Sequence, residues 1–332
     1  MSVDTGDSRN LPNISRAPTQ APVSRIFDTL LVPTGTGTFQ EHQSNPSVGD
    51  LPFDLGRGLS IVIPRYDLVE LVMNACSQRG HYFIPTRQFG CRFSFELEHP
   101  LEPEPRLRWD PDGIIGQTVA LSRLVRDNAY STEYAARVVE HADGERQVIP
   151  HGAKESSHAY RLGTGRDWLD SEDAKQLRAL LQAWTELGET WPQRLRLALW
   201  TCEHLAWEYY TDISLPALVA ALEGLISTDH RQVTRQFCTR VPLLANELNV
   251  PDVSRSFCKA MYKARSQGFH GSDIGLLRAT PHEDAASKVA KLQVVLRAAI
   301  RLGIEDPGFR AVFASDDAIR RRWPVLYDGE AL

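Results

Sequence analysis

Residues 253–271 read VSRSFCKAMYKARSQGFHG. Val253–Ser266 carries an amphipathic helical pattern, and a glycine-flanked GFHG follows it. The surrounding chain repeats this character. Ser171–Leu187 is predicted to be a helix with Asp170 as its cap and acidic residues in its first turn. Arg194–Tyr209 follows Pro192, and Leu215–Ser227 opens near Pro216, a residue suited to a first turn. His230–Leu248 is interrupted by Pro242, which should kink the helix or follow a break. His282–Leu302 is a long amphipathic helix running up to Gly303, expected as a C-terminal cap. A short last helix should carry Arg320, Arg321 and Arg322. Short connections and apolar stripes make residues 166–332 an expected antiparallel helical bundle.

The preceding region differs. Residues 1–25 are rich in Ser, Pro, Asn and Thr and form a predicted disordered tail, because too little apolar surface is available to offset the entropy of ordering. Residues 26–165 read as a smaller α+β domain. Leu59–Ile63 and Cys91–Leu97 are predicted strands, and Tyr66–Cys76 and Ile114–Asn128 predicted helices. The segment 134–150 is a predicted hairpin turning at Asp143-Gly144. The fold class expected is therefore mostly α, with an α+β domain ahead of an all-α bundle.

Apolar residues at 42% and charged residues at 24% are ordinary for a globular chain of 332 residues. Fibrous and wholly disordered classes are excluded, and no window reaches the roughly 20 apolar residues of a membrane span. The N-terminus lacks an apolar core and early basic cluster, so no signal peptide is expected and the cytoplasm is the default location. Cys76, Cys91, Cys202, Cys238 and Cys258 form no C-x-x-C pair and no zinc-type cluster, so neither a metal nor a cofactor is expected. PTGTGTF (33–39) lacks the G-K-[ST] of a phosphate-binding loop. Cys202-Glu203-His204 reads as core and interface packing, and Arg320–Arg322 as a helix end or a phosphate contact.

Arg265 and His270 stand out by context rather than by spacing. Arg146 and His151 repeat the same spacing, and Arg92 and His99 form a looser pair, all in strand or loop segments. Arg265 instead closes an amphipathic helix, and Gly268 and Gly271 bracket the histidine. In an unbroken helix residues five apart point about 140° apart, so a bend at Gly268 would be needed to bring both to one face. From Arg231 to Arg278 there are eight basic residues against three acids, an excess of +5 in a chain whose net charge is −5. A phosphate-binding surface needs such a local inversion.

The C-terminal half resembles HEPN domains, specifically the Apea-like group. The resemblance rests on LVAALEGLIS (218–227), VTRQFCTRVPLLA (233–245) and AMYKARSQGFHG (260–271), in that order, and covers about residues 190–305. Arg265, Ser266 and His270 match its most specific part. GIIGQTVALSRLVRDN (113–128) is similar to the region upstream of such domains. The resemblance implies an HEPN-like bundle acting as a metal-independent endoribonuclease, with Arg265 and His270 of two protomers facing each other in a homodimer cleft. It also implies RNA as a partner and a toxin or antiphage-defence setting, with an antitoxin or regulatory protein as a further partner.

That chemistry suits the residues. A neutral imidazole can take the proton of a ribose 2′-hydroxyl, or its conjugate acid can protonate the leaving 5′-oxygen. A guanidinium can grip the non-bridging phosphate oxygens as charge builds. Supporting roles fall to Ser266 (phosphate contact or a polar helix end), Glu223 (pairing with Arg265 or Arg240) and Tyr262 (core packing or base stacking). Arg240, Lys259 and Lys263 are candidate RNA contacts. Two other readings stay open: a non-catalytic helical module for dimerisation, RNA or partner binding, and an unrecognised activity in the N-terminal domain.

Overall fold

Val23–Pro33, VSRIFDTLLVP, sends alternate side chains to opposite faces and forms the central strand of a six-stranded antiparallel sheet. The computed structural model describes residues 21–33, 51–77, 91–101, 113–126, 128, 134–150, 170–187, 191–206, 211–269 and 282–325. The strands are β1 (Val23–Pro33), β2 (Phe53–Gly56), β3 (Leu59–Val62), β4 (Cys91–His99), β5 (Ala135–His141) and β6 (Arg146–Pro150), ordered β2-β3-β4-β1-β5-β6. Ten helices accompany them among the described residues: α1 (Tyr66–Ser77), α2 (Ile114–Val125), α3 (Ser171–Leu187), α4 (Gln193–Ala206), α5 (Thr211–Ile226), α6 (Val233–Glu247), α7 (Arg255–Phe269), α8 (His282–Glu305), α9 (Pro307–Val312) and α10 (Asp316–Arg322). The fold is mostly helical with one small antiparallel sheet, and no described helix is long and apolar enough to cross a membrane.

The two faces of β1 meet different partners. Phe27 and Leu31 lie under Leu68, Val72 and Met73 of α1, together with Ala136 and Val138 of β5. Leu30 turns the other way and joins Ile61, Phe95 and Leu97 in the apolar core that continues through α2 into the bundle. Each large side chain sealed there contributes about 1.5–3 kcal/mol. The core is therefore continuous across residue 165. Residues 151–169, which hold the expected domain boundary, lie outside the described residues, as do residues 1–20 of the expected tail. Val23, Ser24 and Arg25, placed in that tail by composition, belong to β1. Arg25 is held there by Glu98, Glu96 and Glu140 on the neighbouring strands.

Local signals explain most of the elements. Arg57 and Gly58 both have positive φ (58° and 76°), the geometry of a two-residue hairpin turn, and close β2 onto β3. A Cβ on Gly58 would also press on the Glu98 carbonyl at 3.3 Å. At the start of α3, Asp170 Oδ1 accepts from the amides of Glu172 and Asp173, while Asp173 Oδ2 accepts from the Asp170 amide. This reciprocal box satisfies amides that the first helical turn leaves open. Arg123 of α2 is 3% exposed and pairs with Glu203 of α4, so the acid in Cys202-Glu203-His204 packs an interface as expected.

Several boundaries depart from the sequence reading, and three of them follow from a proline or a close approach. α5 starts at Thr211, a turn before Pro216, which sits inside the helix. α6 runs as one helix through Pro242 and begins only at Val233, after Gln232 in a left-handed conformation (φ 53°). Gly303 does not cap α8. The helix continues to Glu305, and the glycine instead lets α4 approach, since a Cβ at 303 would lie 2.8 Å from Leu195 Cδ1. Asp306 then caps α9, accepting from the amides of Gly308 and Phe309.

Candidate functional site

α7 has two chemically opposite faces. Cys258, Met261 and Ala264 are buried against the core, and burial pushes the Cys258 thiol up to about 12. Arg255, Lys259 and Lys263 are exposed on the other side, and no acidic residue occurs anywhere in the helix. Arg265 follows Met261 by four positions and Cys258 by seven, so it lies on the side of the buried residues and is itself only partly exposed. Its guanidinium lies 5.4 Å from the centroid of the Tyr262 ring, a cation–π geometry. The Tyr262 ring in turn packs on Phe237 of α6 at 5.4 Å.

Glu223 of α5 faces the same point. Its Oε2 is 3.7 Å from Arg265 Nη2, with the two side chains 21% and 26% exposed. At that separation the pair is an ion pair rather than a hydrogen bond. Glu223 Oε2 is buried and has no hydrogen-bond partner among the described residues. Burial pushes the Tyr262 hydroxyl up, and the Glu223 carboxylate adds to this, while Thr234 and Arg265 act in the opposite direction. Of the two arginines suggested for Glu223, Arg265 is the one beside it.

The other expected site residues fall as follows. Ser266 is half-buried at the next position of α7. α7 remains helical through Gly268 to Phe269, so Gly268 is not the bend that the spacing called for. His270 lies outside the described residues, as do residues 34–50, which hold nearly all of the glycine-containing PTGTGTF segment. Lys259 and Lys263 are exposed, as a phosphate contact requires. Among the described residues there is no group of His, Cys, Asp or Glu that could hold a metal ion.

Arg240 does not fit the role of an RNA contact. It is 2% exposed. Its Nε donates to the Trp323 carbonyl at 2.9 Å, and Nη1 donates to the Ile226 carbonyl at 2.8 Å and Gln236 Oε1 at 2.7 Å. Gln236 Nε2 donates to the carbonyls of Asp229 and Arg231. Together the two side chains tie the end of α5, the connection to α6 and the segment after α10. A guanidinium buried this way is held by carbonyls that would otherwise lack partners, and a phosphate cannot reach it.

A second polar centre, absent from the sequence reading, crosses the middle of the sheet. Arg137 of β5 grips Asp28 of β1 through Nε–Oδ1 at 2.7 Å and Nη2–Oδ2 at 2.9 Å. His99 Nε2 of β4 lies 2.7 Å from Asp28 Oδ2 and 3.3 Å from Arg137 Nη2. Burial works against the Asp28 charge, but the bonds from His99 and Arg137 prevail and hold its carboxyl below the usual range. Asp28 and Arg137 are directly opposed in the β1–β5 register. Recognising β1 as a strand would have been the only linear route to this pair. His99, singled out in the sequence only as half of a chance Arg–His spacing, is thus part of an ion-pair cluster.

No family model, no curated protein and no solved structure matches this chain.

Proposed function

We propose that the chain is a metal-independent endoribonuclease of HEPN type, working as a homodimer in which Arg265 and His270 of each protomer line a shared cleft. The observation that carries the reading is the setting of Arg265. Its partly exposed guanidinium is aimed by Glu223 and the Tyr262 ring at the end of an acid-free helix, five positions before His270.

The reaction needs no protein nucleophile. His270 accepts the proton of the ribose 2′-hydroxyl as that oxygen attacks the adjacent phosphorus, and a second imidazole from the partner protonates the departing 5′-oxygen. Arg265 binds the non-bridging oxygens and favours the more highly charged transition state. Glu223 and Tyr262 restrict the guanidinium beforehand, which lowers the ordering cost during reaction. The products are a 2′,3′-cyclic phosphate and a 5′-hydroxyl. A toxin or defence role with a restraining partner would suit such an activity.

The test is cleavage of RNA in EDTA by the purified chain, by Arg265→Ala and by His270→Ala. Loss of cleavage in both variants, with the dimer intact, is expected; wild-type cleavage by both overturns the reading. One observation favours a non-catalytic binding module instead: the Arg265 charge is already countered by Glu223. That alternative requires that the wild type leave RNA uncut and that Arg265→Ala weaken binding while His270→Ala does not.

A further inference from the structure

We propose that the solvent face of α7 is a track for single-stranded RNA, in which Arg255, Lys259 and Lys263 each hold one of three successive phosphates. This rests on the nuclease reading, because the track brings the strand to the helix that carries Arg265, whose guanidinium lies on a different face of it.

The three side chains are exposed and follow one another at intervals of four residues. Four residues advance a helix by about 6 Å, a step that an extended sugar–phosphate backbone covers between neighbouring phosphates. The row is inclined only gently to the helix axis, so the cations form a continuous line rather than a scattered patch.

These charges are also left available to a ligand. No carboxylate among the described residues lies within ion-pair distance of any of the three, and α7 supplies none. Several exposed cations elsewhere are paired, while Arg231 and Arg321 have no carboxylate within ion-pair distance among the described residues. Lys175 pairs with Glu172, Arg320 with Asp317, Arg322 with Glu247, and Lys291 with Asp252. Like charges four residues apart on a helix repel one another modestly, and a polyanion removes that repulsion.

The chemistry of the face selects the partner further. Its aromatic neighbours are engaged elsewhere: the Phe257 ring lies under Lys291, and Tyr262 packs on Phe237. Phosphates are therefore held without stacked bases, so this face contributes little sequence preference. A single row of cations fits a single strand. An A-form duplex is gripped across its minor groove, from two strands at once, and would need a second row.

The experiment measures binding of a fluorescent 2′-O-methyl oligouridylate, which lacks the attacking hydroxyl, by anisotropy in KCl from about 50 to 200 mM. Proteins compared are the full chain, Lys259→Ala/Lys263→Ala, and the triple variant that adds Arg255→Ala. Each contact removed should lower the slope of log K against log salt by about 0.7, so the triple variant should lose about 2. The 2′-O-methyl duplex formed with oligoadenylate should show no such stepwise loss. An unchanged slope in variants that melt like wild type, or an equal loss for the duplex, overturns the track. Cleavage of unmodified RNA by the wild type is scored separately. Stepwise loss of slope without cleavage keeps the track and removes the nuclease; cleavage with an unchanged slope does the reverse.

Discussion

Glu223 Oε2 on α5 stands 3.7 Å from Arg265 Nη2 on α7, and the contact couples two helices at the point where the basic helix ends. The carboxylate is buried enough to matter and too distant to hydrogen-bond, so its effect on Arg265 is mainly electrostatic and orienting. Glu223 therefore acts through Arg265 as a positioning residue.

Glu223→Gln keeps the shape and removes the charge. Under the nuclease reading the expected result is a roughly tenfold lower kcat, equivalent to about 1.4 kcal/mol of lost positioning, with KM unchanged or lower. The lower KM follows because Arg265, relieved of the Glu223 charge, attracts phosphate more strongly. Steady-state cleavage assays with Glu223→Gln and Glu223→Asp check this. A Gln variant that raises KM and leaves kcat alone would contradict it.

Arg240 should behave as a structural residue. Arg240→Met leaves the carbonyls of Ile226 and Trp323 without this donor, and the expected loss is about 3 kcal/mol or more in urea unfolding. The salt dependence of RNA binding should stay at the wild-type slope. A stable Arg240→Met variant with a reduced slope would return the residue to the RNA surface.

Asp28 makes the sheet acid-sensitive. Its folded-state acidity is stronger than the ordinary 3.8, so its contribution is complete above that value and disappears as pH falls through the lower folded value. Glu96 has the opposite sign: burial raises it above 4.5, so protonation of the folded state near that pH is favourable and offsets part of the loss. Asp28→Asn should cost about 3 kcal/mol at neutral pH, because Arg137 loses the two-point ion pair with the Asp28 carboxylate. It should also flatten the fall in stability below pH 3.8. Thermal unfolding from neutral to acid pH, wild type against variant, measures both effects; parallel curves would remove Asp28 as the source.

Gly303→Ala separates a capping glycine from a packing one. In a helix interior alanine gains about 1 kcal/mol of propensity, but here its Cβ meets Leu195, which is fully buried. Overpacking of this kind costs about 1–3 kcal/mol, so a net loss is expected. Leu195→Ala in the same chain should reverse the sign of the glycine effect. A double-mutant cycle in urea reads the coupling directly, and additive effects would mean that α4 and α8 do not meet there.

The helices were largely legible because their causes are local. Ser171–Leu187 is marked by its Asp170 cap and acidic first turn, and the last helix by the basic run Arg320–Arg322 at its end. The strand expected over Cys91–Leu97, which lies within β4, and the Asp143-Gly144 hairpin were legible for the same reason. β1 was not, because Arg25 and Asp28 break its apolar alternation, and only their partners on other strands make the segment a strand. Lys259 and Lys263 could be placed as exposed because helical spacing alone separates them from Met261 and Ala264. Arg240 could not, because its burial depends on Trp323, which is remote along the chain.

From sequence alone, the chain determined a helical C-terminal half, a concentration of positive charge around α7, and an Arg–His pair in a helical context. Periodicity, capping and charge act over a few residues, so they can be read in line. Only the tertiary structure decided that Glu223 faces Arg265, that Arg240 is interior, and that Asp28, His99 and Arg137 meet on three strands. Such contacts join residues brought together by packing and strand register, and no short-range pattern encodes which distant side chains will share a buried space.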